Sequence, residues 1–222
     1  MKKILLSFGL MLLTAVSVNA QIKEGHVSYK IDMTTDNPEM EMQLAMMQGS
    51  TLDVFFKEGM SRTEMKMGAM MTITTIVDTK TEEMMMLMGG MMGNKAIHSN
   101  LTELEKEGKE NKPTYEVELT KKTKTIAGYE CKKAILTDEE GNEATFWYTE
   151  EIEVSKKGQN YLNEEVPGFP LQYEINNGGV LMTMTATSFE GELDKKDKDL
   201  FSTKTPEGYE EMTMEQLKSM GM

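Results

Sequence analysis

The chain has 222 residues with a formal charge of −13, enough for one domain with its own core. So acidic a surface excludes nucleic acid and anionic headgroups as natural partners. A single cysteine, Cys131, excludes an internal disulfide, so packing alone must hold the fold.

Residues 1–20 read as a secretory leader. Lys2 and Lys3 precede an apolar run from Ile4 to Val18, and Val18-Asn19-Ala20 supplies the small residues of a cleavage site. Cleavage after Ala20 is expected, leaving one domain, 21–222, periplasmic or secreted. The run is too short for a membrane span and no cysteine follows it, so no stable anchor is expected.

Strict alternation from Gly25 to Met33 predicts a half-buried first strand. Asn37-Pro38 opens a short helix that carries Met40, Leu44 and Met47 at helical spacing and stops at Gly49. A hairpin follows, Thr51–Phe56 and Gly59–Met67, then a strand over Met70–Asp78 and another over Glu82–Met88. Gly89–Gly93 reads as a mobile apolar loop able to act as a lid, and Lys95–Asn100 as a further strand. The charged segment from Thr102 to Pro113 reads as a helix or solvated loop. Tyr115–Thr120 alternates into the best-specified hairpin, Glu130–Thr137 and Glu143–Glu150, which carries both Cys131 and the one tryptophan, Trp147. Leu171–Ile175 and Val180–Phe189 pair across Asn176-Asn177-Gly178-Gly179. Thr213 caps a last helix, Met214–Met220. The sum is a mainly β (α+β) domain of nine to eleven antiparallel strands with two or three small helices.

Several segments carry a family resemblance. KTIAGYECKKA at Lys124–Ala134, FFKEGMSRTEM at Phe55–Met65, FWYTEEI at Phe146–Ile152, PGFPLQYE at Pro167–Glu174 and PEGYEEMT at Pro206–Thr213 resemble domain of unknown function 4412. That family lies in the lipoprotein-carrier superfamily (LolA- and LolB-like). The resemblance implies an incomplete β-barrel whose concave face holds acyl chains. It brings no catalytic residues.

Methionine is the main compositional signal: of 24, sixteen lie between Met33 and Met92. Thioethers in strands admit three readings: core packing, an adaptable apolar lining, or a Cu(I) site. In the second reading the lining is Phe55, Met65, Met67, Met84, Met86, Met88, Trp147, Met182 and Met184. Met84-Met85-Met86 cannot all face one core from a strand, so Met85 is expected to point elsewhere. His26 and His98 lack metal-ligand spacing. Cys131 has no histidine near it in sequence and reads as a small buried residue. Carboxylate pairs such as Glu139-Glu140 fall in turns. The expectation is an exported, non-catalytic protein without a cofactor. It binds a lipid, lipoprotein acyl chain or other apolar molecule; the alternatives are a Cu(I)-binding protein and an envelope interaction module.

Overall fold

A computed structural model describes residues 22–90, 93–102, 114–157, 163, 165–193 and 199–219. Twelve strands form one open sheet: β1 Glu24–Thr35, β2 Thr51–Lys57, β3 Met60–Met67, β4 Met71–Asp78, β5 Glu83–Gly90, β6 Lys95–Asn100, β7 Tyr115–Ile126, β8 Tyr129–Asp138, β9 Glu143–Thr149, β10 Phe169–Asn177, β11 Val180–Glu190 and β12 Glu210–Met212. Their order across the sheet is β12-β6-β5-β4-β3-β2-β1-β11-β10-β9-β8-β7. All neighbours are antiparallel except β12, which runs parallel to β6. The architecture is thus mainly β, with helices α1 (Pro38–Met46) and α2 (Met214–Ser219).

The turns explain why neighbours in sequence pair in space. Glu58-Gly59 and Ala127-Gly128 both adopt positive φ (48° and 92°, 49° and 88°). That is the twist a two-residue hairpin needs, and glycine in the second place halves its cost. Asn37 caps α1 by accepting from the Glu39 amide at 3.0 Å, with Pro38 in the first turn. Thr213 and Gln216 exchange bonds at the start of α2, 2.8 and 3.2 Å long.

The sheet is strongly curled. Tyr29 on β1 donates its hydroxyl to the Pro170 carbonyl on β10 at 2.8 Å, past the intervening β11. The rings of Phe56 on β2 and Phe169 on β10 lie 6.0 Å apart. Three strand steps of a flat sheet would separate them by roughly 14 Å. The curl therefore brings the inner faces of β2, β1, β11 and β10 together. Val27, Tyr29, Leu52, Val54, Phe56, Phe146, Leu171, Tyr173 and Met184 are buried there in one core.

Strands β4–β6 have packed clusters on both faces, the inner one confined to one end. Inside, Val77 and Met84 pack with Leu101. Outside, Ile76, Met85, Leu87 and Ala96 form a second core against Tyr209. The chain from 199 to 209 holds that cover down: the Leu200 carbonyl accepts from Arg62 Nη1 at 3.2 Å, Thr203 donates to Glu83 at 2.9 Å, and Thr205 Oγ1 lies 2.8 Å from His98 Nε2. Met85 does point away from Met84, as alternation demands, and it enters another core rather than solvent.

Two expectations change. Gly89 and Gly90 belong to β5, paired with Thr72 and Met71, so they are not a lid loop; Met91 and Met92 lie outside the described residues. The charged segment 103–113 lies outside them too. Twelve strands also exceed the expected nine to eleven, because β12 was not anticipated.

Candidate ligand-binding face

Register decides which side chains share a surface. From β2 through β5 the inner face carries the row Leu52, Met65, Ile73, Met88. Thr63, Thr75 and Met86 form a parallel row, and Met67 stands opposite Met71. Met65, Met67, Met71, Ile73, Met86 and Met88 are all half-buried. Cross-strand neighbours on one face sit about 5 Å apart at Cβ, so this is one continuous thioether surface. At one end it is closed by Val77, Met84 and Leu101. There Lys157 also bonds Glu82 at 2.7 Å and holds that carboxyl below its ordinary pKa.

Seven of the nine residues expected to line a site are on the inner face, and they divide by burial. Met84 and Met184 are each 5% exposed and belong to the packed cores. Met182 is half-buried, paired with Met33 and packed on the main core. Met65 is likewise half-buried and packed on the main core, Met86 packs on Val77, Met84 and Leu101, and Met67 and Met88 remain as half-buried surface.

Phe55 and Trp147 do not belong with them. Phe55 is paired with Arg62 and His26 on the outer face, its ring stacked on His26 at 4.0 Å and 8°. The neighbouring Phe56 takes the inward position. Trp147 pairs with Gln172 and Lys133 on the outer side, with Lys124 Nζ 4.1 Å above its ring. In both cases one of two adjacent aromatics had to face out. Sequence reasoning passed over Met71 and Ile73, whose alternation within MMTITTIVD places them on the same face as Met65.

At the rim, the β3–β4 turn and the end of β5 enclose an open depression of about 460 Å³ lined by Gly68, Met70, Met71, Gly90 and Tyr209.

The outer face offers one constellation that resembles catalytic machinery. Ser28 donates to Asp53 Oδ1 at 2.6 Å, and His26 Nε2 lies 2.9 Å from the same oxygen and 3.2 Å from Ser28 Oγ. A nucleophilic triad needs the imidazole between serine and carboxylate, one nitrogen on each. Here serine and carboxylate share one nitrogen, and the serine proton goes to the aspartate. This arrangement does not activate Ser28.

Cys131 is fully buried, and burial pushes its thiol pKa up to about 11. It is therefore expected to resist a water-soluble disulfide reagent at pH 8 in the native protein and to react at once in denaturant. The unfolded thiol loses its proton near pH 9 while the folded one keeps it to about 11. The linkage thus lowers stability as pH rises through that window, and a denaturation series from pH 8 to 11 measures it. Among the described residues, no group of three His, Cys, Asp or Glu could hold a metal ion. No described helix is long and apolar enough to cross a membrane.

Comparison with one solved structure supports the mainly β architecture. The structure of PNGF-II is similar over 88% of this chain at 16% identity, with a TM-score of 0.50. The chain spans about a third of that protein's length (32%). MucB is similar over 86% of this chain and 60% of its own at 11% identity, with a TM-score of 0.36. A LolA superfamily protein from Nitrosomonas europaea matches 81% of this chain and 90% of its own at 10% identity, with a TM-score of 0.22. No curated protein sequence matches the chain. A family model does match, over residues 64–215, more than half of the chain: the N-glycanase peptide, N-terminal domain. This overturns the resemblance to domain of unknown function 4412, and the likeness to LolA is too distant to support that superfamily. The glycine, proline and aromatic corners behind that resemblance mark turns common to many antiparallel sheets. By the extent of the family match, the chain belongs to the N-glycanase peptide, N-terminal domain family.

Proposed function

We propose that this chain is an exported, non-catalytic binding module that holds an apolar ligand, such as an acyl chain, against the inner face of β3–β5. One observation carries the reading: six half-buried apolar side chains, five of them methionines, share one face next to a core that is already filled. Rigid leucine packing would fix one shape, whereas thioethers adapt to ligands of variable outline. The wiring of Ser28 and the burial of Cys131 support a binding role over catalysis.

A fluorescent fatty acid tests the proposal. Saturable binding is expected, and M67S/M88S is expected to weaken it about tenfold without changing the circular dichroism spectrum. No saturable binding, or a variant that binds like wild type, contradicts it.

Family membership favours a second reading, in which the module handles glycoprotein. Its surface would be the outer row Trp147, Gln172, Thr185 and Lys30, where an aromatic ring adjoins hydrogen-bonding side chains. Titration with an N-glycan oligosaccharide separates the readings: W147A would abolish glycan binding and leave fatty-acid binding unchanged.

A further inference from the structure

Of the five large apolar side chains exposed among the described residues, Leu119 lies on β7 at an edge of the sheet, and the other four lie together. Met42, Met46, Met70 and Leu181 are 79%, 56%, 40% and 43% exposed. All four gather at one end of the sheet. Met42 and Met46 are four residues apart on α1, hence on one side of it, and α1 has no buried residue. The last turn of α1 abuts the β3–β4 turn, where a Cβ at Gly68 would strike the Met46 carbonyl, and Met70 follows in that turn. Leu181 pairs with Thr34, three residues before Asn37 caps the helix.

The charge around this patch is mainly acidic, although Lys66, exposed on β3 two residues before Gly68, is a base at the same end. From Ile31 to Phe56 the chain carries Asp32, Asp36, Glu39, Glu41 and Asp53 but no lysine or arginine. Asp32 is paired with Lys30 at 2.7 Å and Asp53 with His26. Asp36, just before the helix, and Glu39 and Glu41, on it, remain beside the methionines, and the last turn of the helix holds no base.

We infer that the outer side of α1, with Met70 and Leu181, docks a basic amphipathic helix of a partner protein. The methionines accept its apolar stripe without demanding one shape, and the three carboxylates meet lysines or arginines flanking that stripe. The same carboxylates disfavour the other occupants. A second copy would set like charges against each other, and anionic headgroups would be repelled. The inference does not rest on the acyl-chain proposal, because it uses a different surface.

The test is binding of a labelled amphipathic helical peptide of about 18 residues built from leucine and lysine. A leucine–glutamate peptide of the same pattern and phosphatidylglycerol vesicles serve as comparisons. The lysine peptide is expected to bind and to be weakened at least tenfold by M42S/M46S, with an unchanged circular dichroism spectrum and melting temperature as the check on folding. E39Q/E41Q should weaken it as well and flatten its salt dependence. Equal binding of the glutamate peptide, wild-type affinity in either variant, or association with the vesicles instead of the peptide overturns the inference.

Discussion

Phe56→Ala is expected to be the most destabilising of the simple truncations. Phe56 is 2% exposed and sits between Phe169 and Phe189, at 6.0 and 6.4 Å between ring centroids. It joins β2 to β10 across the curl, so its removal leaves a cavity that strands on both sides would have to move to fill. Truncations of this kind cost about 3–5 kcal/mol. In a domain of this size that lowers the melting temperature on the order of 10 °C. Thermal denaturation measures it. Phe55→Ala is the control: Phe55 stacks on His26 at the surface, and its loss should cost well under half as much. Equal losses at the two positions would mean that the inward parity is wrong.

The second large effect separates three adjacent methionines. Met85 is 1% exposed and packs with Ile76, Leu87 and Ala96 on the outer side of β5. Met86, one residue later, is half-buried on the inner side. Met85→Ala should cost about 2–5 kcal/mol, the usual price of emptying a filled core site. Met86→Ala should cost much less in stability and should instead weaken the fatty acid. A urea titration of each variant, with and without that ligand, reads both quantities. If Met86→Ala destabilised as much as Met85→Ala, the inner face of β5 would be core and not a binding surface.

Those two pairs of neighbours also show how far the sequence could be read. Hairpins were legible because their turns are chemical: Glu58-Gly59, Ala127-Gly128 and Asn177-Gly178-Gly179 state where the chain reverses. The first helix was legible from Asn37-Pro38. Facing was harder. In Phe55-Phe56 and Phe146-Trp147-Tyr148 alternation says that neighbours oppose, but only the partner strands say which one is inside. The run Met84-Met85-Met86 announced two destinations. It could not announce that both are buried, since the second core is made by Tyr209 and the chain before it, more than a hundred residues downstream. β12 was invisible for the same reason: three residues pairing in parallel with β6 leave no periodic trace. Of the nominated lining, Met65, Met67, Met86 and Met88 share one face because side chains two apart on β3 and on β5 point the same way. Phe55 and Trp147 were drawn in by their size, which does not encode direction.

The most direct measurement is native mass spectrometry of the protein purified without detergent, with organic extraction and metal analysis of the same sample. The account predicts a co-purifying acyl or other apolar species, lost or diminished in M67S/M88S. An empty protein that also fails to take up fatty acid, or one carrying copper that leaves when Met67 and Met88 are replaced, would contradict it.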